Sequence, residues 1–309
     1  MPLYLTEADV AGLLTPAEAL AAVEGSFARL ARGAVENRPR ERLPFEGGQF
    51  AVMACVDREL GYAGVKAYPA AGGRASFAVL LFSLAEARLE AVVEADRLGQ
   101  LRTGAASGVA ARWLARPGAS SLGVIGCGWQ AAGQVACIRA ALPAIERVVV
   151  SCRTRERLEA FCAEHGCEPG ASNRDAAVQD VVVTVTSARD PVLRGEWLRP
   201  GALVCAVGAN HRRRRELDNR VIERAAFVCC DARDQARIES ADLIEPVEQG
   251  LLDWLEVHEL QDVVAGEVPG RAADDDVVLF KSNGIAAWDV AAAARVLELA
   301  RARGVGLEL

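Results

Sequence analysis

Two groups of residues in this sequence have types and spacings that chemistry can use. The first is Gly126-x-Gly128-x-x-Ala131 within "SLGVIGCGWQAAGQVACIRAAL". An apolar run precedes it, a helical pattern follows, and a second apolar run comes about 20 residues further on, the setting in which such a turn holds a dinucleotide. Gly126 permits the tight turn and Gly128 lets the backbone approach a pyrophosphate. The pyrophosphate would lie at a helix N-terminus, where unpaired N–H groups and the helix dipole favour an anion. Ala131 lets the helix lie close to the strand. The second group is three cations in the N-terminal half. Lys66 lies inside an apolar strand ("GYAGVKAYPA"), Arg102 in a small-residue helix ("LGQLRTGAASGVAARWLA"), and Arg40 opens the first strand ("NRPRERLPF"). An unpaired charge in an apolar strand is costly, so Lys66 is expected to face a cleft. Any one of these is also explained as a surface or snorkelling cation. Taken together they suit an anionic substrate.

The end of the second apolar run decides which dinucleotide is expected. A site for NAD needs an Asp or Glu there to accept from the ribose 2′-hydroxyl. Here the run ends "VVVSCRTRER", with Ser151, Arg153, Thr154 and Arg155 before the first acid, Glu156. Hydroxyl and guanidinium groups suit a 2′-phosphate, so NADP(H) is expected, with Arg153 and Thr154 as its contacts. The alternative is that the arginines solvate the next helix's first turn.

These residues need elements to position them. Residues 15–32 read as a helix capped by Thr15, opened by Pro16 and closed by Gly33. From about 40 to 94, "GQFAVMACV", "GYAGVKAYP", "ASFAVLLFSL" and "RLEAVVEA" read as strands of a mostly antiparallel sheet. Residues 96–115 return to helix until "RPG" at 116–118 breaks it. Beyond the break, "SLGVIG", "RVVVS", "DVVVTVT", "ALVCAVG", "FVCCD" and "VVLFK" alternate with helical segments, which predicts a doubly wound parallel sheet buried on both faces. The fold class is therefore α/β. The expected Rossmann domain covers 117–285, and an α+β domain covers 1–116, completed by the last helix in 286–309.

Bulk properties exclude several functions. The 309 residues carry a net charge of −7, so the chain as a whole repels a polyanion, and nucleic acid is not an expected partner. No apolar stretch approaches the ~20 residues of a membrane helix. "MPLYLTEADV" has no basic segment followed by an apolar core, so no signal peptide is expected. Nine scattered cysteines without a CxxC pair read as reduced, buried thiols in a cytoplasmic protein. With three histidines and no HExxH, a histidine metal site is not expected. Asp231, ending "VCCD", reads either as a group facing a cleft or as the N-cap of a helix over 232–240. Glu259 reads as a surface helix position.

The segments "RPR" leading into "FAVMACVD", then "GVKAYP", "LRTGAASGVAARWLA", "GVIGCGWQAAGQV", "SCRTRERLEAF", "AVGANHRRRRELDNRVI", "VCCDARDQARIESADL" and "VVLFKSNGIAAWDVAAAARV" run in order over nearly the whole length. In them the sequence resembles the ornithine cyclodeaminase/μ-crystallin family. The resemblance implies an N-terminal substrate and dimerisation domain, a Rossmann domain and a homodimer. It also implies chemistry at the α-carbon of an amino or imino acid, with hydride passing to or from the nicotinamide. By the same resemblance Arg40, Lys66 and Arg102 hold the substrate carboxylate. The cofactor contacts it implies are Ser76, Arg102, Thr103, Trp129, Gln130, Thr186, Ser187, Gly208, Ser282 and Asn283, and the family has a glutamate at the position of Glu259.

One departure separates the branches of that family. The cyclodeaminases and related alanine dehydrogenases have Val-Gly-x-Asp where this sequence has "VGAN", and the missing aspartate is their acid/base for the amine. Asn210 takes no proton at any accessible pH, so ammonia elimination loses its usual agent. The ketimine reductase branch also lacks the aspartate and has an "RELD"-like segment, matched here by Arg215 to Asp218, and an "RT" pair like Arg153–Thr154. An NADP(H)-dependent reductase of α-imino acids is the resulting expectation, with Lys66 and Asn210 as the catalytic positions. A cyclodeaminase with bound dinucleotide, an amino-acid dehydrogenase or iminosuccinate-type reductase, and a protein that only binds NADPH and a small molecule are the competing readings. The run Arg212 to Arg215 is read mostly as a solvated face, with one or two members turned to the site.

Overall fold

The computed structural model describes residues 1–309, which divide into two compact units: residues 1–103 with 285–309, and residues 104–284. The first unit begins with β1 (Leu3–Leu5), α1 (Glu7–Leu13) and α2 (Pro16–Ala31). The Thr15 hydroxyl accepts from the Glu18 amide, Pro16 fills the first turn, and Gly33 continues the chain at φ +69°. Strands β2 (Val35–Asn37), β3 (Glu41–Phe45), β4 (Gly48–Asp57), β5 (Tyr62–Ala71), β6 (Arg74–Ala75), β7 (Ala78–Ser83) and β8 (Arg88–Glu94) follow. The sheet is antiparallel apart from β1 beside β8, and β5 lies between β4 and β7. Burial alternates along β5, with Gly64, Lys66 and Tyr68 on the buried face. The chain then enters α3 (Asp96–Leu114).

The second unit runs through β9 (Ser121–Ile125), α4 (Trp129–Ala141), β10 (Arg147–Ser151), α5 (Arg155–His165), β11 (Glu168–Pro169), α6 (Asn173–Ala177), β12 (Val181–Thr184) and β13 (Leu203–Ala206). It continues with α7 (Asn219–Arg224), β14 (Ala225–Cys230), α8 (Arg233–Glu239), α9 (Ala241–Glu248), β15 (Val257–Glu259), α10 (Leu260–Val264) and β16 (Val277–Lys281). All eight strands are parallel, in the order β11-β10-β9-β12-β13-β16-β14-β15. The chain winds outward from β9 in one direction and from β12 in the other. Ligands of such sheets bind at the carboxyl ends of the strands at that reversal.

Close backbone approach fixes the packing here. A Cβ on Gly123 of β9 would stand 1.8 Å from the Ala176 carbonyl oxygen of α6. One on Gly104 of α3 would stand 2.2 Å from the Gly133 oxygen of α4. This contact ties the second part of α3 to the parallel sheet's helices, and the division between units falls at residues 103–104 within α3, before the break that the sequence shows at 116–118.

The chain ends with α11 (Ala286–Arg303) and β17 (Leu307–Glu308), both in the first unit, so that unit is discontinuous. Helix α11 packs on α2, β4 and β5. Trp288 is fully buried and meets the Phe27 ring edge-on at 5.3 Å. A Cβ on Gly64 would come within 2.6 Å of Val290 Cγ2, so glycine lets α11 press against β5 one residue from Asp289.

Candidate functional site

In the first unit the structure brings Arg40, Lys66 and Arg102 into one buried cluster, each less than one-tenth exposed. They come from the segment before β3, from the helix-covered face of β5, and from α3. The carboxylate that joins two of them is Asp289 on α11. Its Oδ1 accepts from Lys66 Nζ at 3.0 Å and from Arg102 Nε at 2.9 Å. The Lys66 ammonium also lies 4.9 Å from the centre of the Phe77 ring. Arg40 donates from Nε to Met53 Sδ at 3.3 Å. Lys66, for which an unpaired charge in an apolar strand would be costly, is thus ion-paired in the interior. Its counter-ion is 223 residues away in the chain and reaches it only because α11 lies on β5. Burial, with the charge of Arg102 next, still pushes the lysine down to about 8.

Of the other positions expected in this unit, Ser76 is exposed between β6 and β7. Thr103 is nine-tenths buried, and its hydroxyl donates to the Gly99 carbonyl one turn back in α3.

In the second unit the glycine turn follows β9. Gly126 sits at φ +122°, and a Cβ there would come within 2.5 Å of the Val185 carbonyl oxygen, so the position requires glycine twice over. Gly128 caps α4 without a side-chain hydrogen bond, and a Cβ on it would meet nothing within 4 Å. Open space before an uncapped helix N-terminus is what a pyrophosphate needs, so the residues present fit a dinucleotide. Ala131 is fully buried beneath the turn, while Trp129 is 60% exposed beside it. The Gln130 Oε1 is buried with no hydrogen-bond partner.

At the end of β10, Arg153 and Thr154 are exposed, as a 2′-phosphate contact would require. Two neighbours are occupied elsewhere. The buried Ser151 hydroxyl donates to Asn173 Oδ1 at 2.9 Å, and Arg155 pairs with Glu159 at 2.6 Å one turn along α5. The cysteine reading needs correction here. A disulfide links Cys127, inside the glycine turn, to Cys152, and the other seven cysteines are free. Parallel pairing of Ile125 with Ser151 carries the two thiols to adjacent strand ends, which a separation of 25 residues conceals.

The loops after β12 and β13 are held by Glu216, the second residue of "RELD". Its buried carboxylate accepts from the Thr184 hydroxyl, the Thr186 amide and hydroxyl, and the amides of Gly208 and Ala209, at 2.7–3.2 Å. Gly208 must be glycine because a Cβ would come within 2.3 Å of the Thr186 nitrogen. Asn210 follows, half-buried, and Ser187 is exposed. The arginine run turns outward. Arg212, Arg213 and Arg214 are exposed, and Arg215 binds Glu245 at 2.9 Å and Asn219.

Below these loops lies a second buried lysine. Lys281 Nζ donates to the carbonyls of Ala206 and Ala209 and pairs with Asp242 at 3.3 Å. Asp242 in turn accepts from the amides of Glu216 and Leu217. Asp231 accepts at 2.6 Å from the amides of both Asn283 and Gly284, fixing the loop after β16, in which Ser282 and Asn283 are buried. The expectation that Asp231 caps the next helix is corrected, since the N-cap of α8 is Ala232. The strand β16 inserts between β13 and β14, so the 283–284 loop takes the carboxylate instead. Glu259 is likewise not a surface position. It is half-buried, caps α10, and accepts from the Arg233 amide at 2.7 Å.

Asp289, Glu216, Asp242 and Lys281 join these sites without having been expected there. A signal for two of them was present: Lys281 lies in "VVLFK" as Lys66 lies in "GVKAYP", and Asp289 is a lone acid in "IAAWDVAAAA".

The fold and this arrangement define a Rossmann-type protein with a separate, cation-bearing α+β unit. Residues 2–304 match the model of the ornithine cyclodeaminase/mu-crystallin family, and the chain belongs to that family. The chain is similar to the Δ1-pyrroline-2-carboxylate reductase of Thermococcus litoralis, whose structure is a complex with NADH and L-proline. The TM-score is 0.93 at 29% identity, covering 99% of this chain and 100% of that one. It is also similar to an archaeal alanine dehydrogenase dimer with bound NAD, with a TM-score of 0.93 at 32% identity over 100% and 98% of the two chains. The iminosuccinate reductase of Paracoccus denitrificans is 32% identical over 99% of each chain.

Proposed function

We propose that this protein is an NADP(H)-dependent reductase of α-imino acids, acting on a cyclic ketimine such as Δ1-pyrroline-2-carboxylate or Δ1-piperideine-2-carboxylate, or on a linear imine, and giving an L-amino acid. The observation that carries this reading is the buried cluster of Arg40, Lys66 and Arg102, in which Lys66 and Arg102 share a single carboxylate, Asp289. Its surplus positive charge suits a substrate carboxylate, which several cations orient as well as neutralise. When bound, the nicotinamide supplies the hydride. The reduction also consumes one proton for each C=N bond, and an iminium substrate brings that proton with it. Lys66 is the candidate for adjusting this protonation, because its ammonium and amine forms both exist near neutral pH. Asn210 accepts no proton and so favours reduction over deamination. On the cofactor side the turn Gly126–Ala131 takes the pyrophosphate, Arg153 and Thr154 take the 2′-phosphate, and Thr186, Ser187, Gly208, Ser282 and Asn283 border the nicotinamide. Ser76, Arg102 and Thr103 complete the assigned contacts. The reading includes a homodimer in the cytoplasm.

The test is NADPH oxidation at 340 nm with a panel of Δ1-pyrroline-2-carboxylate, Δ1-piperideine-2-carboxylate, pyruvate with amines, and iminosuccinate. A member consumed with NADPH at far lower KM than with NADH supports the reading. Ammonia released from ornithine with no net cofactor change overturns it.

A further inference from the structure

Lys66 and Lys281 are the only lysines in the chain; the remaining basic side chains apart from three histidines are arginines. Both are buried, and each is paired with an aspartate. At Lys66 the pairing is asymmetric. Oδ1 of Asp289 accepts from both Lys66 and Arg102, while Oδ2 is buried with no hydrogen-bond partner. A carboxylate kept half unsatisfied in the interior contributes its charge and the placement of one oxygen.

We propose that Asp289 is a positioning residue, which fixes Lys66 and Arg102 in one orientation and keeps Lys66 an ammonium where the substrate carboxylate is taken. This rests on the reading of those two cations as the carboxylate site. The groups around Lys66 make a charged carboxylate necessary there. Arg102 on α3 and Arg40 before β3 both disfavour the ammonium, as does burial. Asp96 at the start of α3 lies within electrostatic reach of Lys66. On β4, Met53 stands opposite Lys66, and the Cys55 thiol is pushed up to about 12 by burial, Asp57 and Asp289. Neighbouring β7 contributes Val79, and the rings of Phe77 and Tyr68 are apolar walls. Asp289 is therefore the one group bonded to Lys66 that favours its charged form.

Having only two lysines permits a direct test. Protein grown with [ε-13C]lysine gives two carbon signals, and Lys66→Arg identifies the one from Lys66. In Asp289→Asn, whose Oδ1 still accepts both hydrogen bonds, the Lys66 titration is expected to fall by one pH unit or more. The basic limb of kcat/KM should move down with it, and KM for the imino acid at pH 8 should rise tenfold or more. Asp289→Glu keeps the charge and should hold the titration near its original midpoint while raising KM, so it serves if the Asn variant does not fold. An unchanged Lys66 titration in Asp289→Asn, or an equally lowered one in Asp289→Glu, overturns the proposal. The titration is read without turnover, so failure of the imine panel leaves this test intact.

Discussion

Replacing Lys66 with Met should abolish activity and stabilise the ligand-free protein. The lysine is buried, and its surroundings shift it from the ordinary 10.5 down to about 8. That gap corresponds to roughly 3 kcal/mol by which the folded state disfavours the ammonium. Removing one partner of a buried ion pair normally costs about 3–5 kcal/mol, because the other charge is left alone. Here Asp289 keeps Arg102 at 2.9 Å, so the variant orphans no charge, and the Met side chain fills the space of the lysine stem. The expected net effect at pH 7 is a gain of about 1–3 kcal/mol, up to the whole of that shift. The pH dependence supplies the internal check. Below pH 8 both folded and unfolded states carry the charge, and the penalty is fully present. Between about 8 and 10.5 the folded state sheds the proton while the unfolded state keeps it, so stability rises with pH. Urea denaturation of wild type and Lys66→Met from pH 6 to 10.5 should show a stability difference that favours the variant at pH 7 and shrinks towards pH 10.5. A variant several kcal/mol less stable at pH 7, or a difference independent of pH, would show that burial of the Lys66 ammonium carries no such penalty.

Three further outcomes are expected. Gly208→Ala should lower Tm by roughly 6–12 °C, the effect of about 3 kcal/mol of overpacking, because its Cβ would come within 2.3 Å of the Thr186 nitrogen and 2.5 Å of Glu216 Oε1. Calorimetry showing an unchanged Tm would contradict that geometry. Arg153→Ala should raise KM for NADPH about 10–100-fold and leave KM for NADH unchanged, as removal of one charge-assisted phosphate contact does; equal effects on both cofactors would remove Arg153 from the 2′-phosphate site. Thiol titration of protein denatured without reductant should count seven free cysteines and, after reduction, nine.

The parallel sheet was legible because six continuous apolar runs alternate with helical segments, and β9, β10, β12, β13, β14 and β16 occupy those runs. Helix α2 was legible from Thr15, Pro16 and Gly33, each of which acts locally. What escaped is non-local. Strand β16 lies between β13 and β14, and nothing in "VVLFK" says so. Only that insertion brings Lys281 to the carbonyls of Ala206 and Ala209. The partners of Lys66 and Arg102 escaped likewise, since Asp289 reaches them only through the return of α11 onto β5. In "AVGANHRRRRELD" the arginines draw the eye, yet most of them are solvated. The next residue, Glu216, holds the loops after β12 and β13 with five hydrogen bonds. A carboxylate beside four cations reads as a surface ion pair, yet Glu216 is fully buried, with its amide bonded to Asp242 and Lys281 paired with that aspartate.

The most direct measurement follows the hydride itself. NADPH carrying deuterium at both C4 positions of the nicotinamide is incubated with the enzyme and Δ1-pyrroline-2-carboxylate or the most active imine, and the product is analysed by mass spectrometry. Hydride transfer to the imine carbon places one deuterium on the α-carbon of the L-amino acid, with label lost from the cofactor in equal amount. A product formed without label at the α-carbon, or no imine consumed while ornithine loses ammonia, would contradict it.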